Sequence, residues 1–134
     1  MDRKIGNLTF RELVGIALLI LLLLSGLLSS WYMGWRNTQI AQELDNSAWL
    51  ALSGQWQKAR DTADAAKEQW EQSWDLWATL SDHTPMEEIN SLFGELEIYG
   101  AAGERTDFAR GCAVLASRLT AMANANKFCW WNVL

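Results

Sequence analysis

The chain has 134 residues, half of them hydrophobic, nine of them tryptophan, with a formal charge of −5. That length suits one small domain beside an N-terminal segment. Residues 37–134 hold seven Lys/Arg against fourteen Asp/Glu, a formal charge of −7, and so acidic a domain repels phosphate backbones, which argues against nucleic-acid binding.

The first element is the most apolar. Residues 13–35 contain no charge, and twelve of them are Leu, Ile or Val. A hydrocarbon core about 30 Å thick needs roughly 20 such residues in a helix. At about −0.3 to −0.6 kcal/mol per large aliphatic residue, insertion gains several kcal/mol. Trp31, Tyr32 and Trp35 stand where the segment meets water, as an aromatic belt does. The expected organisation is a cytoplasmic tail at 1–12, a transmembrane signal anchor at 13–35 and an extracytoplasmic domain at 36–134. Arg3, Lys4 and Arg11 flank one end and Arg36 alone the other, which sets the N-terminus in the cytoplasm and makes this a single-pass protein of the cell membrane. A cleaved signal peptide is the competing reading. Candidate sites near Ser25–Ser30 place a leucine where cleavage wants a small residue.

Beyond the anchor the chain reads as all-helical. One proline occurs, at Pro85, and Ala, Glu, Gln and Leu dominate. Nothing between Arg36 and Leu52 breaks a helix, and Ile40, Leu44, Ser47 and Ala51 share a narrow face. Ser53-Gly54 is a stop signal. The second helix, from Gln55 to about Leu80, carries Trp56, Ala59, Ala63, Ala66, Trp70, Ser73, Trp77 and Leu80 at alternating steps of three and four. Thr84-Pro85-Met86-Glu87 opens the third as N-cap, first-turn proline and reciprocal glutamate. Met86, Ile89, Phe93 and Leu96 line its inner face, and Gly100 and Gly103 end it. A fourth runs from about Thr106 to Ala123 with Phe108, Cys112, Leu115, Leu119 and Met122 on one stripe. The expected fold is a single N-terminal transmembrane helix followed by a small antiparallel bundle of about four helices. Gly54 and Gly103 each precede a helix bearing Ala-Arg (Ala59-Arg60, Ala109-Arg110), a faint internal echo that suggests two similar hairpins.

Chemistry-bearing groups are sparse. His83 is the only histidine, and Leu80 denies it the Glu-x-x-His spacing of a bundle metal site; it reads as a loop residue beside a cap. Glu87, Glu88, Glu95 and Glu97 fall on a polar helix face and read as solvated. Cys112 sits on an apolar stripe and, with Cys129, is expected to be a free buried thiol, a disulfide being the alternative. No nucleophile elbow or phosphate cradle is present. Neither a catalytic role nor a cofactor or metal is expected. Most tryptophans read as core or as interfacial anchors, while Trp74, Trp130 and Trp131, off or beyond the stripes, are candidate partner contacts.

Gly54-x-Trp56-x-x-Ala59, its continuation to Trp70, His83-x-x-x-Glu87-Glu88-Ile89 and the closing Asn132-Val133-Leu134 carry a resemblance over nearly the whole chain. The sequence resembles a family of small membrane-anchored proteins of spore-forming Firmicutes known as a domain of unknown function. Members are often encoded beside YetF-like and SpoVA membrane proteins, which implies a sporulation role. The tryptophan-rich stripe departs from members that use Leu and Ile there. The expected function is a bitopic membrane protein whose acidic ectodomain is an interaction or structural module of a membrane assembly. Its partners would be the lipid bilayer and other membrane proteins. The alternative is a small-molecule sensor or binding ectodomain working through a membrane partner.

Overall fold

The computed structural model describes residues 9–80 and 83–131; side chains at 76, 77, 79, 80, 83 and 126–131 lie outside the description. Four helices occupy almost all of it: α1 (Phe10–Leu52), α2 (Trp56–Leu80), α3 (His83–Ala102) and α4 (Arg105–Trp131). No strand occurs among the described residues. The chain divides into two compact units, Met1–Met33 and Gly34–Leu134.

The first unit is the apolar part of α1. Its start is capped, the Thr9 amide donating to Glu12 Oε2 at 2.8 Å, which is the reciprocal-glutamate half of a capping box. Residues 9–29 are all exposed. The most apolar 18-residue window of α1 has a mean hydropathy of 2.6 and is 0% buried. Ser25 interrupts the leucines, yet its hydroxyl donates to the Leu22 carbonyl at 2.8 Å. The polar group is thus satisfied within the helix, as it would have to be in hydrocarbon.

The second unit is an antiparallel bundle held by four seams. Asn37, Ile40, Leu44, Ser47 and Ala51 are buried on α1; Ala59, Ala63, Ala66, Trp70 and Ser73 on α2; Met86, Ile89, Phe93 and Leu96 on α3; Phe108, Cys112, Leu115, Leu119 and Ala123 on α4. Every seam steps by threes and fours, the period that keeps one face of a helix toward its neighbours. Each buried Leu, Ile, Met or Phe stabilises by about 1.5–3 kcal/mol. The exposed pairs Arg118–Glu88 and Arg110–Asp107, at 3.2 and 3.1 Å, add at most about 1 kcal/mol each. The seams therefore decide the fold and the ion pairs trim it.

Direct contacts fix the register. Ser47 Oγ donates to the Ala59 carbonyl at 2.6 Å, and Gln69 Nε2 donates to both oxygens of Glu43 at 3.0 and 3.1 Å, joining α1 to α2. Trp70 Nε1 donates to Asn90 Oδ1 at 2.8 Å, joining α2 to α3. Leu96 lies close against Gly111, where a Cβ would stand 3.0 Å from its Cδ1, so α3 and α4 approach closely.

Both helical hairpins close the same way. Gly54 and Gly103 have φ of 85° and 72°. Behind them Gln55 N donates to Leu50 O at 3.0 Å and Glu104 N to Tyr99 O at 3.1 Å, the six-to-one bond of a Schellman cap. The echo between the two glycines in the sequence is this shared terminator.

Four sequence expectations shift. Gly100 does not end α3; it is helical and buried, and the helix runs on to Ala102 because only Gly103 takes the left-handed conformation. α4 continues to Trp131 rather than stopping near Ala123, since Asn124 and Asn126 weaken a helix without breaking it. On its last described turns Ala123 is buried and Met122 half-buried, so the seam ends one residue later than expected. α3 begins at His83, two residues before the expected first position at Pro85 and inside the one- or two-residue spread usual at helix ends, so Thr84 is a helical residue rather than the N-cap and His83 belongs to the helix backbone rather than to a loop.

Candidate functional site

The sequence directs attention to two sets of aromatic residues. In the first unit Trp31 is 70% exposed and Tyr32 44%; Trp35, in the second, is 49% exposed. Broad, half-wetted rings of this kind suit a membrane–water boundary. Of the candidate partner contacts, Trp74 is half-buried. Trp130 and Trp131 lie on the helical backbone of α4 with side chains outside the described residues, as do those of Trp77 and Leu80. The sequence reading passed over Trp49, which is 63% exposed near the α1–α2 turn. Its position two residues beyond Ser47 turns it away from the seam, a signal the three-and-four spacing already contained.

Cys112 is free and buried. Its thiol donates to Ser47 Oγ at 3.7 Å, and burial pushes its pKa up to about 11, against a smaller lowering by Ser47 and with a further rise from Asp45. A thiol held in its neutral form is a poor nucleophile. Cys129 is 17 positions along the same helix, roughly 25 Å away, far beyond the span of a disulfide.

The carboxylates divide. Glu87 and Glu95 are exposed, and Glu88 pairs with Arg118. Glu97 is more than a solvated group, because it accepts a hydrogen bond from Lys67 across α2 and α3. That bond, more than any other influence, raises the Lys67 pKa above its ordinary value. Glu71, one turn along α2, adds a second contact to Lys67 at 3.7 Å.

On either side of Lys67 the gap between α2 and α3 opens into a cavity. One, of about 200 Å³, has an apolar floor that includes Phe93, Leu96 and Phe108, and a rim of Arg60, Asp64, Lys67 and Glu97. The other, about 240 Å³, is lined by Trp70, Asn90 and Glu71 among others. No periodicity in either helix announces these spaces, which depend on how far apart two helices stand. Among the described residues, no group of three His, Cys, Asp or Glu is placed to hold a metal ion.

Asn37 is the other feature the sequence reading missed. Its side chain is fully buried, and neither its amide nitrogen nor its oxygen has a hydrogen-bond partner. Ser73, also buried, gives its proton to Gln69 O in its own helix at 2.7 Å.

Residues 31–133 fit the model of DUF4363, a domain of unknown function. No curated protein and no solved structure matches the chain.

Proposed function

The chain belongs to the DUF4363 family, and from that premise we propose that it is a single-pass membrane protein whose acidic helical domain, outside the cytoplasm, is an interaction or structural module of a larger membrane assembly. One observation carries this reading: among the described residues, none covers the most apolar 18-residue window of α1. An uncovered apolar surface of this size needs lipid or protein around it. A signal sequence near the N-terminus has the same length and composition, so the anchor's retention is part of the proposal. The three basic residues before the apolar stretch favour a cytoplasmic N-terminus. A catalytic role is not part of the proposal, and the buried Cys112 thiol is held in its neutral form. The setting implied by the family resemblance is sporulation.

Crosslinking in native membranes followed by mass spectrometry tests the module. Adducts between the acidic domain and another membrane protein are expected; a protein that stays monomeric and uncrosslinked would count against it. Recovery from the medium with a new N-terminus beyond Ser30 would overturn the anchor.

A second reading, a ligand-binding domain that works through a membrane partner, draws on the cavities between α2 and α3.

A further inference from the structure

Four charged side chains stand around the cavity floored by Phe93, Leu96 and Phe108. Two of them, Lys67 and Glu97, satisfy each other across its rim. The remaining two, Arg60 and Asp64, lie one helical turn apart on α2 and line the same space, yet no ion pair or hydrogen bond joins either to any described residue. Arg60 is half-buried. Its Nε passes 3.7 Å from where a Cβ on Gly100 would be, with the Phe108 ring 3.6 Å from that same point. A guanidinium fork and a carboxylate, left open beside an aromatic floor, form a complementary pair of charges with an apolar surface between helices.

We propose that this cavity binds a zwitterionic α-amino acid with an apolar side chain: its carboxylate on Arg60, its ammonium on Asp64, its side chain against Phe93, Leu96 and Phe108. The size fits. A cavity of 150 Å³ accommodates benzene, so about 200 Å³ suits a ligand with a leucine- or phenylalanine-sized side chain. A free carboxylate with no cation would meet repulsion at Asp64, and an amine alone would meet it at Arg60, so only the molecule carrying both charges satisfies both residues. Gly100 lines the same space, and its missing Cβ leaves room between Arg60 Nε and the Phe108 ring. The site stands on the geometry of the bundle and does not depend on where the apolar helix resides.

Titration calorimetry on the full chain in lipid nanodiscs tests this, with L-leucine and L-phenylalanine as probes. Saturable binding with a Kd below about 1 mM is expected. 4-Methylpentanoate, which lacks the ammonium, and isopentylamine, which lacks the carboxylate, should each bind about tenfold more weakly than leucine. Arg60→Gln should erase the preference over isopentylamine, and Asp64→Asn the preference over 4-methylpentanoate. Gly100→Ala is the control for folding. Its methyl meets only ordinary van der Waals contacts and alanine favours a helix over glycine, so helicity is kept while the methyl takes up cavity space beside Arg60 and weakens binding. Three results would overturn the site: no saturable heat with either amino acid up to about 10 mM, half-molecules binding as tightly as leucine, or binding undiminished in both Arg60→Gln and Gly100→Ala. Loss of membrane retention would leave these titrations unchanged, so the two proposals fail separately.

Discussion

Trp70 shows how much one side chain does here. It is 1% exposed, it fills the space beside small residues of its own seam, and its Nε1–H is hydrogen-bonded to Asn90. Trp70→Ala should cost about 3–5 kcal/mol of stability in a urea melt. A loss under about 1 kcal/mol would mean the ring faces outward. The thiol of Cys112 gives a second residue-scale expectation. Unfolded, it ionises near 9.0; folded, near 11. Between these values the unfolded state has lost a proton that the folded state keeps, so stability present below pH 9 falls as pH rises toward 11. In a Cys129→Ser background, iodoacetamide at pH 8 should label Cys112 only when the bundle is opened by denaturant; fast labelling of the native protein would contradict its burial. Both positions were legible, since a tryptophan and a cysteine on a three-and-four stripe are core residues by spacing alone. The Lys67–Glu97 bond was not, because it joins side chains thirty positions apart on the outer faces of two helices, where sequence spacing carries no pairing information.

At the level of helices, the seams explain what could be read and what could not. Seam residues recur with the period of a helix face, so α2 and α3 were placed nearly to the residue, and Gly54 and Gly103 marked the two turns. The end of α4 was lost because its final turns carry weak formers rather than a stop. The α2–α3 cavity was hidden because it is a property of the gap between two elements. Asn37 extends the α1 seam by three residues, Asn37 to Ile40, and puts an unpaired amide in it. Burying such a group unsatisfied costs about 1–3 kcal/mol, so Asn37→Leu should raise the denaturation midpoint by a corresponding amount, and a lower midpoint would mean the amide has a partner. The caps predict the opposite sign. Gly54→Ala or Gly103→Ala forces a side chain into the left-handed region, at about 1–2 kcal/mol each, and unchanged melting of either variant would show that the turn had relaxed to another geometry.

For the whole molecule the division is between an exposed apolar helix surface and a bundle with a buried core of its own. Full-length protein should stay with membranes through an alkaline carbonate wash. A variant with Leu19, Leu22 and Leu23 changed to Asn, each unfavourable in hydrocarbon, should be released, and release of the unaltered protein would contradict the anchor. Most of this partition was plain in the sequence, because 23 uncharged residues followed by an acidic domain leave few alternatives. The use to which the domain is put was not, since its candidate chemistry lies in spaces and unpaired groups that only packing reveals.

The paired glycine terminators also govern how the bundle comes to exist. Turns of two or three residues bring each helix back along its predecessor, so early contacts join neighbours in the chain and little loop entropy opposes them. Helical bundles of this kind fold in microseconds to milliseconds, whereas a ribosome supplies about 5–20 residues per second. The α1–α2 hairpin therefore has time to sample its closed form while α3 and α4 are still being made.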